Sequence, residues 1–254
     1  MKMTHIDMNA DLGESFGPWT KGHDSDLLQI VTSANVACGF HAGDPEVMAR
    51  TCTACKANDV NVGAHPGFRD LAGFGRREIA GYGDHALQTE AIYQIGALRA
   101  IASTCGLPVR HVKFHGAVAN MASRDQALAT ILFSAVRKLD PELRIVTIAA
   151  TAQASAAVAL GIPAVAEIFA DRAYNDDGTL VGRSDRRAMI RDPVTCAENM
   201  VRAVETGTLL SVSQTPIPIT PDTICVHGDT PEAVSIATAV RTRLENAGIA
   251  VKPF

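Results

Sequence analysis

A chain of 254 residues, 47 % apolar and 20 % charged, has the composition of a folded globular protein and not of a disordered one. Its net charge of −4, with no basic run, argues against a nucleic-acid partner, because neutralising phosphates needs clustered Lys and Arg. The opening MKMTHIDMNADLGES has no secretory-type apolar stretch, and Ile145–Ala170 is interrupted by Gln153, Pro163 and Glu167, so the expectation is a cytoplasmic protein with a small-molecule substrate and no membrane span.

In chain order, short apolar runs alternate with amphipathic stretches. Strands are expected near 4–11, 33–40, 59–64, 110–114, 144–149, 163–168 and 222–227. A helix over 84–105 carries Leu87, Ala91, Ile95, Leu98, Ala102 and Cys105 on one face, is entered at Asp84 and is closed by Gly106. A second, over 125–138, puts Leu128, Ile131, Leu132, Ala135 and Val136 on one stripe, with Ser123 and Gln126 reading as a capping box. Asp192-Pro193 opens a third helix that Gly207 ends, and Thr230-Pro231 opens a last one ended by Gly248. Cys52 and Cys55 form a C-x-x-C late in a helical pattern, with no second pair to complete a zinc site, so they read as buried thiols.

Strands alternating with helices imply a parallel sheet covered by helices. Seven repeats closing on themselves give an irregular parallel (β/α) barrel, with an open doubly wound sheet as the alternative. No linker divides the chain, so one domain over residues 1–254 is expected.

Nearly every expected strand ends on ionisable residues. Strand one runs into Asn9, Asp11 and Glu14; strand two ends at His41, strand three at His65, and strand four offers Lys113 and His115. Strand six offers Glu167, Asp171 and Arg172, and strand seven ends at His227 and Asp229. In parallel α/β folds these ends converge on one mouth where ligands bind. His41-Ala-Gly-Asp44-Pro45 and His227-Gly-Asp229-Thr-Pro231 share a design in which Gly admits a ligand close to the backbone and Asp caps the next helix. Arg76 and Arg77, in a Gly-rich turn, suit an acidic substrate. His5, His23, His85 and His111 read as surface or structural. There is no P-loop, no strand-linked dinucleotide fingerprint and no serine-hydrolase elbow. The residues fit general acid–base chemistry or metal-assisted hydrolysis, with Asp11, His41, His65 and His115 as the candidate metal set.

The strings DMNADLGESFG, SANVACGFHAGDP, VGAHPGFRDLAGFGRR, HVKFHGAVANMA, FADRAYNDDGTLVGRS and DTICVHGDTPEAV, spread over residues 7–234, resemble the LamB/YcsF family. The resemblance implies a distorted seven-stranded barrel like those of polysaccharide deacetylases. It also implies ATP-dependent opening of 5-oxo-L-proline to L-glutamate as the A subunit of a 5-oxoprolinase, with ATP as cosubstrate and subunits B and C as partners. A metal-dependent hydrolase, such as a sugar deacetylase, is the competing class. Phe114 stands where the family usually has Pro, and Val118-Ala119 where it has Leu-Tyr, while Lys113, His115 and Asn120 are kept.

On this reading the candidate catalytic residues are Asp11, His41, His65, Lys113, His115, Glu167, Asp171, His227 and Asp229. Asn9, Asn35, Arg76, Asn120 and Arg172 are expected to bind substrate. Asp11, or His41 or His65 acting with it, is expected to position and deprotonate water, and Lys113, helped by the helix N-termini after His41 and His227, to hold developing negative charge. His115 or His227 would protonate the ring nitrogen, and Arg172 would hold the substrate carboxylate.

Overall fold

In a computed structural model describing residues 4–254, every one of the seven expected strands forms. The first three residues of the N-terminal string lie outside the described residues. The chain runs β1 (His5–Leu12), α1 (Asp24–Leu27), β2 (Ser33–Ala37), α2 (Pro45–Ala57), β3 (Asn61–His65), α3 (Asp84–Thr104), β4 (Val109–Val112), α4 (Gly116–Arg124) and α5 (Gln126–Leu139). It continues β5 (Arg144–Ile148), α6 (Ala152–Leu160), β6 (Ala164–Phe169), α7 (Pro193–Thr206), β7 (Thr208–Leu210), β8 (Pro216–Pro218), β9 (Thr223–His227), α8 (Ala233–Asn246) and β10 (Ala250–Val251).

Strands β1 to β6 pair in order, all parallel, and β9 pairs with both β6 and β1. The seven strands therefore close into a barrel, and the open-sheet alternative does not hold. Strand β10 adds a short parallel rung outside β1, while β7 and β8 form a small antiparallel hairpin between α7 and β9. None of the described helices is long and apolar enough to cross a membrane.

Strand alternation divides the work between the two faces of the sheet. On β1, Ile6, Met8, Ala10 and Leu12 join the apolar core that packs against the helices. Asp7, Asn9 and Asp11, two residues apart, form hydrogen bonds with the interior residues of neighbouring strands. Branched apolar side chains usually fill such a barrel; here much of the interior is polar. Asp7 accepts from Thr32 and Ser33 at 2.7 Å each and from Thr223. Burial raises the Asp7 carboxyl to about 6 despite these bonds. One layer up, Asn35 Nδ2 donates to Asn9 and Asp11, and its Oδ1 meets His111 Nε2 at 2.9 Å. Gly63 is required beside that ring, because a Cβ there would lie 2.0 Å from His111 Nε2.

Two helix starts differ from expectation. Ser123 does not cap α5; its hydroxyl donates to Asn120 O inside α4, and Asp125 accepts from Ala127 N and Leu128 N instead. Helix α8 begins at Ala233, after a turn spanning Thr230-Pro231, with no side-chain cap. Asp192 and Asp44 cap α7 and α2.

Candidate active site

The C-terminal strand ends meet in a cavity of about 280 Å³. Asp11, His65, Lys113, His115, Glu167 and His227 all reach it, as do Asn120, Arg76, Arg172 and Asp229. Two long loops roof it. Residues 66–83 carry Phe74 and Arg76, and residues 170–192 carry Arg172 and Arg183. Some expected residues stand elsewhere. Asn9 and Asn35 do not line the cavity; they lie beneath it, buried, with their amides engaged in the network that holds Asp11. Asp171 stands behind His227 and His41 behind Glu14, both buried.

One half of the mouth is built around Lys113. Its Nζ donates to Asp11 Oδ1 at 2.9 Å and Cys225 Sγ at 3.0 Å, and it pairs with Glu167 Oε1 at 2.8 Å. Burial opposes its charge, but Asp11, Cys225 and Glu167 outweigh it and hold the ammonium well above its usual pKa. Burial likewise opposes ionisation of Asp11, yet His65 and Lys113 keep this carboxylate well below its usual range. Lys113 thus directs its ammonium at three buried neighbours, Asp11, Cys225 and Glu167, and brings a positive charge to the mouth. A carboxylate held as acidic as Asp11 is a weak base.

His227 completes this half. Its Nδ1 lies 2.8 and 2.9 Å from the two Asp171 oxygens, so it carries the proton there, and Nε2 is left 4.0 Å from Asp11 Oδ2. Burial disfavours the imidazolium, but Asp171 outweighs burial and raises the His227 pKa. The arrangement is an oriented imidazole with a carboxylate behind it, the logic of a general acid–base dyad.

The other half is aromatic and carboxylic. His41 and His115 stack with ring centroids 3.7 Å apart and planes 3° from parallel. His65 Nδ1 meets Lys113 O at 2.7 Å, and its Nε2 faces His115 Nδ1 at 3.0 Å. His115 Nε2 meets Phe74 O at 2.8 Å. Glu14 Oε1 lies 3.5 Å from both His41 Nε2 and His115 Nδ1. Burial, above all, holds His41 and His115 well below their usual pKa and raises Glu14. Glu14, not Asp11, is the carboxylate that gathers with His41, His65 and His115, their donor atoms lying within 4.8 Å of one another. In a second convergence, of Asp11, Cys225 and His227, the Lys113 ammonium already contacts Asp11 and Cys225.

At the rim, Arg76 pairs with Asp229 at 2.6 Å, holding that carboxyl down at about 2 against the effect of burial. Arg172 is buried, and it donates to Ala188 O at 3.3 Å and Val181 O at 2.7 Å, so its guanidinium is partly spent on backbone. Burial and the nearby Arg183 lower its pKa to about 10. Phe114 is buried against Phe133, and Ala119 borders the cavity. Glu14, Cys225 and Arg183 are site residues absent from the candidate set. Glu14 and Cys225 carry a sequence signal, since each sits within three residues of a strand-end position. Arg183 lies within a loop, and its signal is its place in the string FADRAYNDDGTLVGRS.

A closed parallel barrel whose mouth combines an Asp–His dyad, a buried lysine and a His–Glu cluster has the architecture and chemistry of a hydrolase. The LamB/YcsF family model matches residues 6–254, and the chain belongs to the LamB/YcsF family. It is 50 % identical to the 5-oxoprolinase A subunit of Ruegeria pomeroyi and 48 % identical to that of Rhodopseudomonas palustris, over 99 % of both chains in each case. The crystal structure of the lactam utilization protein from Thermus thermophilus superposes with a TM-score of 0.92 at 41 % identity, covering 98 % of this chain and 100 % of that one. A family 4 carbohydrate esterase from Streptomyces lividans shares the fold alone, with a TM-score of 0.50 at 10 % identity over 98 % of this chain and 91 % of that one.

Proposed function

We propose that this chain is the A subunit of an ATP-dependent 5-oxoprolinase, opening 5-oxo-L-proline to L-glutamate as ATP becomes ADP and phosphate, in a complex with B and C subunits. The observation that carries the reading is the 48–50 % identity, along the whole chain, with relatives bearing that name.

The chemistry asks for an activated lactam, since an amide is resonance-stabilised and this ring recloses readily. Phosphorylation of the carbonyl oxygen by ATP converts it to an imidate phosphate. Water then adds at carbon, the C–N bond breaks with a proton delivered to nitrogen, and a second water releases phosphate from the resulting acyl phosphate. In this reading the phosphoryl transfer belongs to the complex, and this chain's cavity receives the activated ring.

His227 fits the proton-carrying role. Asp171 holds its Nδ1 proton, leaving Nε2 to take a proton from water and return it to the ring nitrogen. Asp11, kept ionised beside Lys113, orients that water. Arg172 at the cavity wall suits the substrate carboxylate.

The decisive experiment follows glutamate and phosphate release from 5-oxoproline and ATP, first with this chain alone and then with both partner subunits. Glutamate and phosphate in equal amounts, only in the full mixture, are the expected result. No glutamate with partners proven active alongside a different A-type chain overturns the reading. Within the active complex, His227→Ala is expected to slow glutamate formation by about 10²–10⁴-fold, and near-normal turnover by the folded variant removes His227 from the proton path.

A further inference from the structure

The two facing nitrogens of His65 and His115 pose a problem in proton counting. His65 Nδ1 lies 2.7 Å from Lys113 O and His115 Nε2 lies 2.8 Å from Phe74 O. A carbonyl only accepts, so each ring carries its proton on that outer nitrogen. In two neutral rings the inner nitrogens, His65 Nε2 and His115 Nδ1, then both present lone pairs at 3.0 Å. Two lone pairs at that separation repel unless a cation lies between them.

A shared proton would satisfy these two nitrogens and suit Asp11, whose Oδ2 lies 3.4 Å from His65 Nε2, but it would leave Glu14 Oε1 and both nitrogens of His41 without a partner. The surroundings ask for more. Glu14 Oε1 is buried without a hydrogen-bond partner, 3.5 Å from His115 Nδ1, and both nitrogens of His41 are buried and equally unpartnered. Tetrahedral ligands at metal–nitrogen bonds of about 2.0–2.1 Å stand about 3.4 Å apart, close to the 3.0 and 3.5 Å separations here. An outer imidazole N–H on a backbone carbonyl is also the usual support of a metal-bound histidine.

We propose that Glu14 Oε1, His65 Nε2 and His115 Nδ1 form a binding site for one divalent transition-metal ion of the zinc type. Two imidazoles and a carboxylate suit such an ion better than magnesium or calcium, which prefer all-oxygen sites. All three ligands line the cavity, so the remaining coordination position opens toward it. His41 lies against the site without completing it. Its ring is stacked on His115, and an imidazole lone pair lies in the ring plane, so His41 can bind only by turning out of the stack. Gly67 and Gly75 hold this packing close. A Cβ on Gly67 would approach His41 Nδ1 to 2.8 Å, and one on Gly75 would approach His115 Cδ2 to 2.8 Å. The site replaces Asp11 of the expected metal set with Glu14, and it does not depend on which substrate the cavity takes.

The test uses the full chain, stripped with chelator and titrated with Zn²⁺, then with Co²⁺ followed by its visible absorption. About one equivalent should bind, with the intense absorption of low-coordinate Co²⁺. Glu14→Gln and His115→Ala should each weaken binding at least about tenfold, while Arg99→Ala, which breaks a surface pair with Asp140, should leave it unchanged. Because His115→Ala can also disturb the stack, circular dichroism accompanies each variant, and the near-isosteric Glu14→Gln decides the test if His115→Ala does not fold. Failure of the folded wild-type chain to bind Zn²⁺ or Co²⁺ overturns the proposal, as does binding that Glu14→Gln leaves intact. Neither outcome bears on glutamate formation by the complex, so the metal site and the 5-oxoprolinase reading stand or fall separately.

Discussion

The two halves of the barrel mouth are equally buried but differently balanced. Around Lys113, cationic and anionic groups meet: the ammonium sits among Asp11, Glu167 and Cys225, and His227 is backed by Asp171. Around Glu14, four donor atoms converge with no cation among them in the chain itself. The first half is a closed electrostatic cluster, expected to hold its shape in the isolated chain. The second is complete only with something the sequence does not encode. Buried ionisable groups thus divide into those that a fold has neutralised internally and those that it has left for a ligand.

The largest expected effect tests that division directly. Lys113→Met removes the cation between two buried carboxylates, and breaking such a cluster from one side costs about 3–5 kcal/mol. Glu14→Gln in chelator-treated protein should do the reverse of harm, leaving stability unchanged or higher, because it removes the charge from a carboxyl whose buried Oε1 accepts no hydrogen bond. Urea unfolding of both variants checks the contrast. Equal destabilisation by the two would break the distinction between the halves.

The next effect lies beneath the Lys113 half. Asp7 has its folded-state pKa raised to about 6 from 3.8, chiefly by burial. A carboxyl raised in the native state keeps its proton there while the unfolded chain has lost it, so between those values folding takes up protons. Its contribution is therefore fully present below pH 3.8 and is lost as pH rises through 6. The loss is about 3 kcal/mol, since each pH step of one between the two values is worth about 1.4 kcal/mol. Measured as the stability difference between the wild type and Asp7→Asn, the wild type should lose that much relative to the variant from about pH 4 to about pH 7. A flat difference across that range would show that the hydroxyls of Thr32, Ser33 and Thr223 fully solvate the carboxylate, making this floor as balanced as the layer above it.

The architecture was legible because its signals are periodic and local. Seven apolar runs alternating with amphipathic stretches mark the barrel, and Gly106, Gly207 and Gly248, the expected helix ends, all take the left-handed backbone conformation just beyond their helices. The capping box at Ser123 misled because the preceding helix α4 was not foreseen, and a serine in its last turn bonds backward to Asn120 O. At the mouth, clustering of strand-end residues follows from parallel topology alone. What failed was depth. Asn9 precedes Asp11 by two residues and faces the same way, yet lies about 7 Å lower at the rise of a strand, so it supports the site without lining it. Which strand-end charges neutralise one another was not legible at all. That depends on the register between β1, β4, β6 and β9, which brings Lys113 to Asp11 across 102 positions of sequence.

The smallest expected effect asks whether the half around Glu14 is held by its backbone or by the proposed ion. Asp44 follows the His41 loop, and its side chain accepts from Glu46 N at 2.9 Å and Val47 N at 3.0 Å at the start of α2. Its other oxygen accepts from Gly17 N at 2.5 Å, tying down the loop that follows Glu14. Asp44→Ala removes a helix cap, worth about 1 kcal/mol, and frees that tie. If the peptide framework fixes Glu14 and His41, the variant should lose about that much stability in thermal unfolding and also bind Zn²⁺ more weakly than the wild type. If instead the ion gathers its own ligands, stability falls while affinity holds. The second result would place the order of this half in the metal, against the self-sufficient geometry around Lys113.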